Sequence, residues 1–464
     1  MKVVIMNCGL IVVVLIMFTL CSCATTQRLL LYNSPSIKDH KHFPTITLKG
    51  ESKYSIQYTP DFSLPAPSDW IFAKKQNLTV DNFIDQTNSA CIIIYKDGKI
   101  LFERYGSNYS STDHLTVFSA SKPILSFLVQ KAIEDGFIKS ENQSVSDFLP
   151  FMKKMGGEQL ELSHLLNMTS GLNHDEYGKI PQTLITYYNT NLDKLIKKSR
   201  FVYPPGERFV YKSIDYQILG RCVEIATNQS IELYLKNKLW NDIGRYDLIL
   251  TRDSREGNER MFGGIAFVPM DFVIFGSMFL KKSTRKSTLD DNYISNIQNR
   301  DLDVPWWGYK NGWWRDTYNL TSIKSNDDFF SSGFGGQCMV VNPVLNTLIL
   351  RLGTNKGGVI WHTSLSKLIY LINGKATREK KYIAEGIYTS VNNKSRVFDI
   401  RKKEKGWRLR IYENDRKVKT VTLNIYDDTT LFSGIKLDKI YIDRNGKVYY
   451  DDGKTTNEEL VLLK

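Results

Sequence analysis

Two β-rich apolar runs, Ala90–Lys96 and Lys99–Tyr105, are separated only by Asp97-Gly98. That dipeptide suits a two-residue type I′ turn, because both central residues must take positive φ, so the segment is expected to be a tight β-hairpin. From about Val117 the period changes. Ile124, Leu125, Leu128, Val129, Ala132 and Ile133 recur at helical spacing, and Gly136 follows as a stop. Helices and loops dominate to about Leu280. Strands return at Cys338–Val341 and Thr347–Leu352 around an Asn-Pro turn region, and a helix over Ser364–Ile372 closes this part. Beyond Tyr382 come short β-rich runs with Asn, Asp and Gly between them: Ile387-Tyr388, Val397–Ile400, Trp407–Tyr412, Val418–Ile425 and Lys439–Ile442. They predict a small all-β domain whose alternating charges are solvated strand faces.

The first residues have a different character. Lys2 is followed by an almost unbroken apolar stretch from Val3 to Leu20 and then by Cys21-Ser22-Cys23. Taken bare, the stretch borders on the length of an uncleaved membrane anchor. Leu20-Cys21-Ser22-Cys23 resembles a bacterial lipobox, which implies a signal peptide over 1–22 and lipid attachment at Cys23, where several acyl chains give stable anchoring. From there to about Lys75, prolines 35, 44, 60, 65 and 67 interrupt every element, so a tether that becomes an ordered extension is expected over 23–75. Of six cysteines, Cys91, Cys222 and Cys338 remain for the folded part, an odd number without a C-x-x-C pair. Buried free thiols are expected rather than a disulfide framework or a zinc site.

Composition narrows the classes. Hydrophobic content of 42% and charged content of 24% exclude a disordered, collagen-like or polytopic membrane chain. The 464 residues carry 62 Lys+Arg against 49 Asp+Glu, a net charge of +13. Such a balance suits either nucleic acid or an anionic surface. No G-x-S-x-G, H-E-x-x-H, Walker or G-x-G-x-x-G pattern is present, and six scattered histidines show no ligand spacing.

Ser119-Ala120-Ser121-Lys122 is the segment with chemistry. A Ser three residues before a Lys at a helix start lies on the same side of the first turn as the amine, within hydrogen-bonding reach. The helix N-terminus offers N–H groups to a developing oxyanion, and Pro123 is tolerated in the first turn. Lys122 can serve as base if burial and neighbouring cations lower its pKa. The same spacing recurs at Ser283/Lys286, Ser364/Lys367 and Ser433/Lys436, but only Ser119 stands between a strand-rich segment and a long helix.

Four phrases together resemble the serine β-lactamase-like hydrolases, which include class C β-lactamases, DD-peptidases, related esterases and 6-aminohexanoate-dimer hydrolases. They are Val117-Phe118-Ser119-Ala120-Ser121-Lys122, Leu165-Leu166-Asn167-Met168-Thr169-Ser170-Gly171-Leu172, Pro204-Pro205-Gly206-Glu207-Arg208-Phe209-Val210-Tyr211-Lys212-Ser213, and Ser331-Ser332-Gly333-Phe334-Gly335-Gly336-Gln337. The resemblance covers roughly residues 75 to 375. It implies an acylating nucleophile at Ser119, an activating base at Lys122, and Tyr211 as the phenol that shares proton transfer and serves the leaving group. It also implies an oxyanion hole from the N–H groups of Ser119 and Phe334, with Ser213, Ser331, Ser332 and Gly333 facing substrate. Two positions depart from the pattern: Ser213 stands where many members have Asn, and Ser331 where they have Lys or His. A neutral hydroxyl in place of that cation weakens the case for a carboxylate-bearing β-lactam or D-Ala terminus, and leans toward the esterase and aminohexanoate-hydrolase branch. The tryptophan cluster Trp306, Trp307, Trp313 and Trp314 is expected either to wall a substrate, with Trp307 in contact, or to pack a core.

The expected fold is α+β: a mainly antiparallel sheet flanked by helices with a helical subdomain over 76–378, as in β-lactamase and transpeptidase relatives, then a small β domain over 379–464. The expected activity is an acyl-enzyme hydrolysis of an ester, amide or peptide-like small molecule, needing no metal or cofactor. A slow-acylating binding or scaffolding lipoprotein is the alternative. Either would sit in a bacterial cell envelope, lipid-anchored, facing periplasm or exterior. The excess positive charge then needs no nucleic-acid partner and suits anionic head groups or cell-wall polymers.

Overall fold

The computed structural model describes residues 24–59, 61–71, 78–174, 176, 182–280, 291–298, 308–315, 328–374, 385–403, 406–427, 430–432, 439–442, 447–451 and 458–463. The leader over 1–22, Cys23 and Trp307 lie outside these residues. No helix among the described residues is long and apolar enough to cross a membrane. The chain divides into two compact units, Met1–Lys53 with Thr112–Val268 and Tyr54–Ser111 with Pro269–Lys464. The α+β class with mainly antiparallel sheets and a C-terminal all-β part is the one observed.

In the first unit, strands β1 (Thr45–Leu48), β5 (Leu115–Thr116), β6 (Leu248–Thr251) and β7 (Ile265–Phe267) form an antiparallel sheet in the order β1-β6-β7-β5. None of these short strands is evident from periodicity, and β6 and β7 fall in a stretch where helices and loops are expected to dominate. The segment after residue 23, expected as a tether that becomes an ordered extension, carries secondary structure. It holds a helix over Ala24–Tyr32 and then β1, which pairs along β6, while Thr116 N–H donates to the Ile37 carbonyl. The prolines are compatible because Pro44 falls just before the strand. Phe43 fixes the segment, with the Arg260 guanidinium 4.3 Å and the Arg28 guanidinium 5.3 Å from its ring centroid.

The helix Lys122–Glu134 is buried along its whole first half, Lys122 to Val129, rather than on one stripe. It packs against the helix Ser213–Thr227, where Ser126 Oγ and Tyr216 Oη lie 3.2 Å apart and Tyr216 donates to the Leu166 carbonyl. A helix enclosed on all sides can hold a charged residue only where that residue has work or partners.

The second unit is built on an eight-stranded sheet. Its strands are β2 (Gln57–Tyr58), β3 (Ser89–Lys96), β4 (Lys99–Tyr105), β8 (Tyr309–Lys310), β9 (Trp313–Arg315), β10 (Phe329–Gly333), β11 (Gln337–Asn342) and β12 (Thr347–Gly353), in the order β2-β4-β3-β12-β11-β10-β9-β8. The hairpin is as expected, with Asp97 and Gly98 both at positive φ. Strands β3 and β12 are buried at nearly every position, which explains the lack of polar alternation. The helix Trp361–Ile372 covers one face through Leu365, Leu368 and Ile369 over Ile92, Val340 and Ile349. The wholly buried helix Pro269–Ser277 covers the other, where Gly276 lets Met339 and Leu348 approach.

The C-terminal strands β13 (Gly386–Ser390), β14 (Arg396–Lys403), β15 (Gly406–Glu413), β16 (Arg416–Asp427), β17 (Thr430–Phe432), β18 (Lys439–Ile442), β19 (Val448–Asp451) and β20 (Glu458–Leu463) form an antiparallel barrel closed by β13 on β20. Phe398, Ile400, Leu409, Ile411, Val421, Leu423 and Tyr450 belong to its packed core. Eight strands enclose about the space that side chains fill. Cys91, Cys222 and Cys338 are buried free thiols, and burial pushes Cys91 up to about 12.

Candidate active site

Ser119 is presented by a strained turn. Val117 N–H bonds the Ile265 carbonyl of β7 at 3.0 Å, and Phe118 then takes φ +49° before a 3-10 turn over Phe118–Ser121 leads into the Lys122 helix. A buried aromatic residue in the left-handed region costs on the order of 1–3 kcal/mol and persists only where its surroundings hold it. Here Tyr187 lies 5.8 Å from the Phe118 ring, and Gly263 leaves the room: a Cβ there would stand 3.3 Å from the Phe118 carbonyl carbon and 3.5 Å from the Ser119 nitrogen. Ser121 Oγ donates to the Phe118 carbonyl at 2.8 Å. Ser119 itself is only half-buried, so its hydroxyl can meet a substrate.

Lys122 is fully buried, and its Nζ donates to Ser119 Oγ at 2.8 Å, the Phe262 carbonyl at 2.8 Å and Ser213 Oγ at 3.4 Å. Burial brings its pKa down to about 7. The sequence suggests neighbouring cations as a further cause, but the charges acting on Lys122 are the carboxylates Glu176 and Asp215, which oppose the effect of burial. An amine titrating near 7 can take a hydroxyl proton and return it.

Tyr211 stands beside this pair, its ring centroid 5.1 Å from Lys122 Nζ. Its segment is held by Val210 N–H on the Met168 carbonyl at 2.9 Å and Gly206 N–H on the Thr169 carbonyl at 2.8 Å. Gly171, at φ +75°, is required because a Cβ would come within 2.1 Å of the Tyr203 carbonyl oxygen. The second and third phrases of the resemblance are therefore two sides of one laced loop pair. Ser213 opens the next helix, its hydroxyl on Lys122 and its N–H on Glu176 Oε1.

Ser331, Ser332, Gly333 and Phe334 belong to the second unit. The first three end β10, and Phe334 begins a 3-10 turn and is 49% exposed. Ser331 Oγ is buried without a hydrogen-bond partner among the described residues, whereas Ser332 and Gly333 are half-buried. Gly335 and Gly336, at φ +75° and +83°, make the turn, and Arg351 Nη1 donates to both of their carbonyls, at 2.9 and 3.0 Å. Gln337 Nε2 donates to the Phe334 carbonyl at 3.0 Å. Of the tryptophan cluster, Trp313 is core, edge-on to Phe279 and Phe329 at 4.9 and 4.8 Å. Trp314 packs edge-on to Tyr309.

Ser119, Lys122, Tyr211 and Ser213 are thus brought together in the first unit. Sequence reasoning missed Phe118, Glu176, Lys212 and Asp215. The last two flank Ser213 by one and two residues, and an unbroken Lys-Ser-Ile-Asp run entering a helix was the available signal.

Residues 77–358, more than half of the chain, match the Beta-lactamase family. Among relatives, a protein named "Putative D-alanyl-D-alanine carboxypeptidase" from Salmonella enteritidis PT4 is 22% identical over 223 residues, 42% of this chain and 51% of its own length. A namesake from Salmonella typhimurium is 26% identical over 127 residues, 25% of this chain and 29% of its own length. The chain therefore spans about half or less of these relatives. The solved structure titled "Putative 6-aminohexanoate-dimer hydrolase from Bacillus anthracis" superposes with a TM-score of 0.62 at 13% identity, covering 73% of this chain and 94% of that one. A penicillin-binding protein homologue from Pyrococcus abyssi gives 0.51 at 19% identity, covering 82% and 98%. These likenesses concern the fold.

Proposed function

This chain belongs to the beta-lactamase family of serine hydrolases, and we propose that it forms an acyl-enzyme on Ser119 from an ester, amide or peptide-like substrate, with Lys122 and Tyr211 moving the protons. The observation that carries this reading is the 2.8 Å contact of a fully buried amine with a half-exposed hydroxyl. In the productive form Lys122 is neutral. It accepts the Ser119 proton as Oγ attacks the carbonyl carbon and the carbonyl electrons move onto oxygen. The proton then passes, through the Tyr211 phenol, to the leaving oxygen or nitrogen as its bond to the acyl carbon breaks. A water repeats the sequence on the ester, loses its proton to the same pair, and restores Ser119. The Lys122 ammonium beside the Tyr211 ring favours phenolate character during transfer. A neutral Ser331, rather than a cation, favours uncharged acyl groups over carboxylate-bearing β-lactams or D-Ala termini.

Small esters, amides, D-Ala peptides and β-lactams, offered to the native chain and to Ser119→Ala, test this reading. Turnover of at least one ester or amide is expected, with Ser119→Ala lowering it by about 10³-fold or more. Equal rates for the two proteins would refute the reading. Saturable binding with one slow acylation and no turnover would support the scaffolding alternative.

We also propose lipid attachment at Cys23, supported by its Leu20-Cys21-Ser22-Cys23 setting, and with it a place in the cell envelope. In a bacterial host, Cys23→Ser is expected to lose palmitate labelling and to leave the membrane fraction. Unchanged labelling would refute the assignment.

A further inference from the structure

Four charged side chains share one buried volume in the first unit. Lys122 and Asp215 are fully buried, Lys212 is 1% exposed and Glu176 7%. Each charge in such a place is expensive unless it is balanced or used. The three acceptors on Lys122 Nζ are neutral: Ser119 Oγ, Ser213 Oγ and the Phe262 carbonyl. The carboxylates instead reach it through the helix that opens at Ser213. Glu176 Oε1 accepts the Ser213 N–H, which is the first amide of that helix, while the Ser213 hydroxyl accepts from Lys122. Asp215 sits two residues further on, its Oδ1 accepting from Ser170 Oγ at 2.7 Å and its Oδ2 buried without a hydrogen-bond partner among the described residues.

We propose that Glu176 and Asp215 are positioning residues for the general base: they hold the first turn of the Ser213 helix against Lys122, and their negative charge determines when Lys122 parts with its proton. The proposal rests on the Ser119–Lys122 reading above.

Among the described residues, Lys122 is faced by titratable and aromatic groups from several elements. From the Ser213 helix come Ser213, Asp215 and the Tyr216 ring, 5.7 Å away; from the preceding segment, the Tyr211 ring; and, from before residue 182, Glu176. Lys212 is influenced by the same two carboxylates and in turn acts on His174. His174 is driven down to about 4 by burial, so it is neutral near pH 7 and adds no charge there. Two lysines therefore stand against two carboxylates. Burial lifts Asp215 to about 7, and Lys212 and the Ser170 hydroxyl work against that rise. Burial favours the neutral Lys122 amine, and the two carboxylates oppose it, favouring the protonated form that hands a proton to a leaving group.

The test uses the full chain and a fluorophosphonate probe, which phosphonylates a nucleophilic serine, Oγ bonding to phosphorus as fluoride leaves, without requiring knowledge of the substrate. Labelling rates are taken from pH 5 to 10 for the native protein, Glu176→Gln, Glu176→Asp and Asp215→Asn. Glutamine and asparagine keep one oxygen acceptor and the shape of the group while removing the charge, an NH2 replacing the second oxygen. The limb where Lys122 loses its proton is expected near pH 7 in the native chain, about one unit lower in Glu176→Gln, and about half a unit lower in Asp215→Asn, whose carboxyl is only partly ionised at that pH. Glu176→Asp should keep the native limb, and the plateau rates should stay within about threefold of one another. An unmoved or raised limb in both charge-removing variants overturns the proposal. So does a fall of plateau alone, or loss of fold in both by circular dichroism, since either assigns the pair to structure. A folded native chain that is not labelled at any pH would instead sink the Ser119–Lys122 reading itself.

Discussion

Lys122→Met is expected to slow acylation of Ser119 by about 10²- to 10⁴-fold, the range that a positioned general base contributes. Methionine has nearly the length of lysine and suits the buried path, so the loss is chemical rather than a collapse of the helix. The same substitution carries a signature in stability. The amine titrates near 10.5 in the unfolded chain and near 7 in the folded one. Between these values the unfolded state binds the extra proton, so the contribution of Lys122 to stability is full above about 10.5 and lost as pH falls to about 7. The native chain should therefore gain stability relative to Lys122→Met as pH rises from 7 to 10. Urea unfolding of both proteins at several pH values measures it. A flat difference would show that the amine is not depressed, and undiminished acylation would remove Lys122 from the mechanism.

Arg351→Met is expected to have the largest effect on stability. The guanidinium is fully buried on β12, and six acceptors surround it: Ser89 Oγ and the carbonyls of Thr87, Asn88, Gly335, Gly336 and Asn355. The Trp361 ring lies 4.4 Å away, and burial brings its pKa down to about 9. Methionine leaves several buried carbonyls unpaired, each costing on the order of 1–3 kcal/mol, so a total of about 3 kcal/mol or more is expected. Lysine offers three donors from a single nitrogen where arginine spreads five over a planar fork, so Arg351→Lys should recover only part of the loss. The urea midpoints of the three proteins decide this. A methionine variant as stable as the native chain would mean the loops around Gly335 and Asn355 hold themselves.

Much of the fold is legible along the chain where periodicity is local. The hairpin over 89–105, the strand pair over 337–353 and most of the barrel strands follow from apolar runs and turn residues. The two-residue strand β5 and the three-residue β7 carry too few residues to show a period, and their pairing is made by distant partners. Within the extension over 23–75, β1 is set in the same way, by its register on β6.

For the site, the sequence by itself determined the reach of Ser119 to Lys122, because three residues at the start of a helix place both side chains on one side of it. It also determined the glycines at 171, 335 and 336, which take conformations that few other residues adopt. What only the tertiary structure decided is the charge environment. Glu176 and Asp215 meet Lys122 through a helix that begins 91 residues after it, at Ser213. Lys122 is enclosed because its helix is buried on nearly every face, which a one-sided apolar pattern does not reveal. The left-handed turn at Phe118 is likewise no preference of phenylalanine, and Gly263 and Tyr187 are among the residues packed around it. Contacts within one helical turn are written in spacing. Desolvation and long-range charge depend on which distant segments close over a side chain, and only packing supplies that.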